Sequence, residues 1–355
     1  MSNIPAFRLA AATMSGITVV DVSAAGGTTT THSLTGPSTS SVAIDPLDPD
    51  RIVAGTFDRS AWLTRDGGGS WTYIGHGVHS THISAAAMSP VRRGEAGSAI
   101  YLGTEPANLY RSDDDGATWE FFPALPGLPS ARTWSFPPRP WTHHTRWITP
   151  HPDDPNLIFV GIELGGVMRS TDGGRTWEDR KPGSQFDCHS LTIPLGDTDR
   201  LYEAAGGGVA VSRDRGASWK AADRGMDRHY AWAVAADPAD PDCWYVSAST
   251  GPRSAHRQDG DAQAVLSRRN GEGPWQPLGV PAGSDPAAPL HHPNARMPYA
   301  LATLPGWPDG LIVGMRDGTL LASDDRGETF APIEAGVPGI LTMSVVSRSG
   351  TDTLP

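Results

Sequence analysis

An all-β, seven-bladed β-propeller is the fold class this sequence predicts, and three observations lead to it. A short motif recurs along most of the 355 residues, each copy closes the same succession of strand signals, and the two ends supply complementary parts of one more unit. The motif reads STDGGRTW at Ser170 to Trp177. Copies stand at Thr64 to Trp71, Ser112 to Trp119, Ser212 to Trp219 and Ser323 to Phe330, with a decayed copy at Ser267 to Trp275. A repeated unit that cannot bury its own apolar face must stack on its neighbours, and a closed ring of four-stranded sheets does this without leaving open edges.

Taken in order, the first repeat is split. Arg8 to Thr13, Ile17 to Ser23 and Thr28 to Ser33 read as strands B, C and D, and Ile340 to Ser347 reads as a lone strand A. Joined, the two termini make the first blade. Blade two spans Ser41 to Ile74, blade three His82 to Phe122, blade four His144 to Arg180, blade five Cys188 to Ala222, blade six His229 to Leu278 and blade seven Met297 to Ile333. Within blade four the strands fall at His144 to Pro150, Leu157 to Gly161, Gly166 to Ser170 and Arg175 to Glu178, with the A–B turn at Pro152-Asp153-Asp154-Pro155. Residues 1–355 are therefore expected to form a single propeller domain.

The motif is a C–D hairpin turn. Its hydroxyl and its Asp can bind backbone N–H groups, Gly supplies positive φ, and the Trp opens the next strand. Asp66, Asp114, Asp172, Asp214 and Asp325 are accordingly expected to be structural. The motif resembles the Asp-box, or BNR repeat, of sialidase-like and related uncharacterised glycosyl-hydrolase-like propellers. True sialidases add an arginine triad and an N-terminal Phe/Tyr-Arg-Ile-Pro motif. The nearest stretch here, Phe7-Arg8-Leu9-Ala10, lacks the Ile-Pro, so a typical sialidase is not expected. The repeat is also similar to that of xyloglucan-cleaving propellers, which pair two seven-bladed domains around a cleft where this chain has one, and to that of the photosystem II assembly factor. Streptogramin lyases are similar in arrangement, with His and Glu at the mouth and a metal.

Composition narrows the partners. A net charge of −11 with no basic block argues against nucleic acid. No run approaches a membrane span. The N-terminus has no charged n-region, and two cysteines, Cys188 and Cys243, form no disulfide framework, so a cytoplasmic location is expected.

Three connections are long: Pro123 to His143, Thr250 to Ala262, and Gly279 to Arg296 with its His291-His292 pair. All emerge on the face shared by D–A links and B–C loops. There the starts of strand A and the ends of strand B converge on the central axis. His82, His144, His189 and His229 start strand A in four successive blades, a set suited to a divalent metal of unassigned identity. Glu105 and Glu163 end strand B, and Tyr230 follows His229. With His144 they are the candidate acid–base residues. Asp58, Arg316 and Trp141 are placed to bind substrate, while Trp134 and Trp232 lie near the same mouth. Strand alternation puts Cys188 and His189 on opposite faces, and His151, at an A–B turn, is expected on the far surface. The function expected is a hydrolase or lyase with a small-molecule or glycan site at this mouth. The alternative is a non-catalytic binding or assembly propeller.

Overall fold

The computed structural model describes residues 4–93, 97–136, 142–257, 260–279 and 295–348. Its strands form seven antiparallel sheets arranged as blades of a β-propeller, with the strand order A-B-C-D outward from the axis. Among the described residues helix is almost absent: one 3-10 turn, Pro129–Thr133, lies in the link before blade four, and one short helix, Pro252–Ala255, in the B–C loop of blade six.

Closure across the termini is realised. Thr342–Ser347 pairs antiparallel with Phe7–Thr13, from Ala12 opposite Thr342 to Phe7 opposite Ser347. Gly16–Val22 and Thr28–Ser33 complete that blade. In blade four the fourth strand expected over Arg175 to Glu178 is reduced to one bridge, Arg169 to Glu178.

The core is a set of apolar layers between blades. Val53 and Leu63 of blade two pack on Ile83, Ile100, Leu102 and Tyr110 of blade three, and each further interface repeats the pattern. The strands bury both faces, so their alternation is replaced by near-continuous apolar runs such as Ile158-Phe159-Val160, all fully buried.

The repeated turns staple the outer strands. In blade four the Ser170 hydroxyl accepts from the Gly174 N–H at 2.8 Å and donates to Asp172 Oδ1 at 2.9 Å. Asp172 in turn accepts from the Thr176 N–H (2.9 Å) and hydroxyl (2.6 Å). The same bonds recur at Asp66, Asp114, Asp214 and Asp325. Gly174 sits at φ +97°, and a Cβ there would fall 2.8 Å from the Phe122 ring. Backbone bonds such as Gly173 N–H to the Asn156 carbonyl, 2.8 Å, tie the C–D turns of blades two, four, five, six and seven to the A–B turns of their own blades. The staples therefore lie on the face away from the long loops. His151 differs from expectation: it is fully buried. Its Nδ1 accepts from the N–H groups of Asp153 and Asp154 at 3.2 and 3.1 Å, and its Nε2 bonds the Thr198 carbonyl at 2.8 Å. The ring closes its own turn onto blade five, which is why a turn histidine is buried.

Both cysteines are free and buried. Among the described residues no helix is long and apolar enough to cross a membrane.

Candidate functional site

Strand A is irregular in six blades at one position. The register slips between Thr39 and Ser41, Ile83 and Ala85, Thr145 and Trp147, Cys188 and Ser190, Ala231 and Ala233, and Pro298 and Ala300. Each slip is a β-bulge that leaves one extra residue unpaired and re-aims its side chain. The extra residues are Ser40, Ser84, Arg146, His189, Trp232 and Tyr299. In blades two, three and five the bulge side chain bonds the carbonyl that the next blade's bulge has freed: Ser40 to Ile83, Ser84 to Thr145 (2.7 Å), and His189 Nδ1 to Ala231 (2.6 Å). The bulges therefore join neighbouring blades and present residues to the loop-rich end of the axis.

Two carboxylate–imidazole pairs stand there. His82 Nδ1 lies 3.3 Å from Glu105 Oε2, and His144 Nε2 lies 2.9 Å from Glu163 Oε2. The pairs are linked, since His144 Nδ1 is 3.9 Å from Glu105 Oε2. Burial pushes the Glu163 carboxyl up, but the His144 hydrogen bond and the His144, His189 and Arg146 side chains outweigh it and hold it at about 2. An ionised carboxylate only accepts, so His144 donates through Nε2–H and leaves Nδ1 as the nitrogen that faces Glu105. That nitrogen is buried and makes no hydrogen bond among the described residues. The Phe136 ring closes over the imidazole edge-on at 4.7 Å.

The belt continues through blades five to seven. Arg146 lies 3.6 Å from Glu163 and stacks on Trp232 with its guanidinium carbon 4.5 Å from the ring centre. His189 packs against Tyr230 and Trp232 at 4.9 and 4.6 Å. Beyond them Arg316 donates to the Tyr299 hydroxyl, His256 Nδ1 is 2.5 Å from that hydroxyl, and His256 Nε2 is 2.8 Å from the Tyr230 hydroxyl. Arg316 can only donate, so the arrangement that satisfies every group runs from Tyr299 O–H to Nδ1 and from Nε2–H to Tyr230. Burial, with Arg316 nearby, pushes His256 down to about 4 and keeps it neutral. Burial likewise raises both tyrosines, Tyr299 to about 12.

The structure thus brings His82, Glu105, His144, Glu163, His189, Tyr230 and Arg316 to one mouth. It does not bring the four expected metal histidines to one ligand position. His82 and His144 each face a separate glutamate, and the His229 side chain is 54 % exposed and paired with Asp223 at 3.5 Å. Asp58 is exposed on the loop beside Phe57, whose ring covers His82 at 5.1 Å. Trp134 is buried against His143 rather than lining the mouth. Trp141 and the His291-His292 pair lie outside the described residues. Cys188 and His189 do face apart: a Cβ at Gly161 of blade four would meet the Cys188 sulfur, whereas His189 reaches blade six.

Arg146, Asp187, His256 and Tyr299 were not anticipated from the sequence. Arg146 and Tyr299 occupy the bulge position, two residues after the strand start that was aligned, so alternation assigned them elsewhere. His256 sits on the blade-six insertion, whose length was the only signal. A cavity of about 600 Å³ runs along the central channel from Ser84 and Arg146, away from this mouth. Its apolar part lies toward the other end of the channel, lined by Ile44, Met88, Ile148, Leu191, Met343 and Val345 among others.

Comparison with known proteins adds a direction. No family model matches the chain. It is 28 % identical over 209 residues to a xyloglucanase of Acetivibrio thermocellus, a match covering 47 % of this chain and 24 % of that protein. It is 26 % identical over 172 residues to an oligoxyloglucan-reducing end-specific xyloglucanase of Emericella nidulans, covering 44 % of this chain and 19 % of that one. The matches thus span a quarter or less of these relatives. Among solved structures, a GH74 enzyme of Niastella koreensis superposes with a TM-score of 0.64 at 16 % identity, over 95 % of this chain and 51 % of that chain. YCF48 from Cyanidioschyzon merolae superposes with a TM-score of 0.53 at 13 % identity, over 85 % and 86 %. At these identities the structural likeness is one of fold.

Proposed function

We propose that this chain is an Asp-box propeller, working as a single unit, that cleaves a glycan at its loop-rich mouth. The observation that carries the reading is His144: one nitrogen is fixed by an ionised glutamate and the other is buried, unbonded and turned toward Glu105. A carboxylate that orients an imidazole and leaves its second nitrogen poised is the arrangement needed for proton transfer. Hydrolysis needs one group to protonate the glycosidic oxygen as the C–O bond breaks and another to take a proton from the attacking water. His144 and Glu105 fill these two roles, with Glu163 and His82 as their positioning partners. Trp232 and Tyr299 offer aromatic faces for a sugar ring, and Arg316 holds Tyr299 in place.

The sequence relatives named xyloglucanases support a β-glucan of the xyloglucan type as substrate class. The fold likeness and the repeated turn bonds support the propeller assignment without selecting the chemistry.

Release of reducing ends from xyloglucan oligosaccharides by the purified protein tests the reading. His144→Ala and Glu105→Gln are each expected to lower the rate by about 10²- to 10⁴-fold with unchanged melting. Oligosaccharide binding at the mouth without any turnover would replace the enzyme by the non-catalytic binding propeller. Turnover of a non-glycan small molecule, or elimination in place of hydrolysis, would move the assignment to the lyase side.

A further inference from the structure

We propose that Glu163, Asp187 and His189 bind a divalent first-row transition cation at the junction of blades four and five. One oxygen from each carboxylate and one nitrogen of the imidazole lie within 4.8 Å of one another. One imidazole and two carboxylates is a donor set suited to Zn²⁺ or Mn²⁺ rather than to an all-oxygen cation.

The placement of His189 carries the inference. Its ring is fully buried. Nδ1 lies 2.6 Å from the Ala231 carbonyl, which only accepts, so Nδ1 carries the proton. The other nitrogen, Nε2, lies 3.5 Å from Asp187 Oδ2 and has no hydrogen-bond partner among the described residues. A fully buried nitrogen without a partner, set beside two carboxylates, marks a position where a cation can be held.

The repeat itself provides an internal control. Blades two and three fill the same bulge position with Ser40 and Ser84, whose hydroxyls make the same bond to the next blade. The inter-blade bond therefore requires only a serine. Histidine at this position adds a second nitrogen, aimed at two carboxylates. A metal-bound histidine commonly gives its other N–H to a backbone carbonyl, as here.

The carboxylates are held in place beforehand. Asp187 Oδ1 accepts from the Leu164 N–H at 3.1 Å, leaving Oδ2 toward the imidazole. Blade five gives it room at Gly206, where a Cβ would fall 1.9 Å from Asp187 Oδ2. Glu163 is fixed by His144 and Arg146. Arg146 balances one of the two negative charges. A protonated His189 would balance the other, and that metal-free ion-paired state is what the experiment must tell apart from the cation.

The site stands independently of the glycan reading, because ion binding is measured without substrate. The full chain is stripped with EDTA, dialysed against Zn²⁺ or Mn²⁺, and its metal counted by mass spectrometry and titrated by calorimetry. One equivalent per chain is expected, with Mg²⁺ binding more weakly. Asp187→Asn and His189→Gln should each weaken binding by at least about tenfold. Cys188→Ser, which removes the nearby thiol, and His229→Ala should retain the ion. Should the buried His189→Gln fail to fold, the partly exposed Asp187→Asn decides the matter. Absence of a stoichiometric ion in wild type, or an ion retained undiminished in Asp187→Asn, overturns the proposal.

Discussion

Glu203→Gln should change how stability depends on pH. Glu203 lies in strand B of blade five, Leu201–Ala205, and is fully buried. One oxygen accepts from the Gln185 N–H at 2.9 Å, and the other has no hydrogen-bond partner among the described residues. Burial disfavours the carboxylate and pushes the group up to about 8 from 4.5. The folded state therefore holds this proton more tightly than the unfolded chain. Its contribution is fully present below pH 4.5 and is lost as pH rises through about 8. At roughly 1.4 kcal/mol per pH unit, wild type should lose about 3 kcal/mol between pH 5 and pH 7.5 through this residue. Glutamine keeps an acceptor for Gln185 and never ionises, so the variant lacks this loss. Its amide N–H₂ meets no partner and costs about 1–3 kcal/mol at every pH, so the slope is the readout and not the absolute stability. Urea unfolding of both proteins at pH 5, 6 and 7.5 measures it. Parallel curves across that range would refute the argument, since they would mean that Glu203 is solvated or paired when charged.

Further outcomes follow from other elements. His256→Phe should flatten the acid limb of the stability curve. The half-buried histidine is pushed down to about 4, so its contribution is complete above the unfolded value of 6.5 and disappears as pH falls from 6.5 toward 4; an unchanged acid limb in thermal melts would count against it. Ser170→Ala should cost about 1–3 kcal/mol, because it leaves the buried Gly174 N–H without its acceptor. Turnover per folded molecule should be unchanged, as the staple is on the face away from the mouth. Deleting the residues after Gly339 removes strand Thr342–Ser347 and bares the edge of Phe7–Thr13, so light scattering should report association at micromolar concentration. A truncated protein that stays monomeric with unchanged melting would contradict closure across the termini.

The fold was legible because the repeat carries its own punctuation. Each Asp that caps a C–D turn marks where one blade's strands C and D meet, and counting those turns locates the split first blade without any distant comparison. Much of the candidate mouth was legible for a related reason. His82 and His144 begin strand A, Glu105 and Glu163 end strand B, and the topology alone brings those points to the axis. The bulge in strand A was not legible. A single extra residue reverses which side chains face the axis, and nothing in the local pattern around Arg146 or Tyr299 announces it. The expected four-histidine metal centre failed on the same ground. Alternation gave no means of seeing that His82 and His144 would pair first with different glutamates, or that His229 would stay in solvent. His151 shows the converse case, a turn residue buried because its ring supplies the acceptor the turn needs.

The most direct test of the central claim, that the mouth does chemistry on a glycan, is a crystal structure of the Glu105→Gln protein with a bound xyloglucan oligosaccharide. The account predicts a sugar chain across the loop-rich mouth, with a glycosidic oxygen within about 3 Å of His144 Nδ1 and a ring against Trp232 or Tyr299. A sugar seated instead in the apolar cavity at the opposite end of the channel, or bound at the mouth with every glycosidic oxygen beyond the reach of His144, would contradict it.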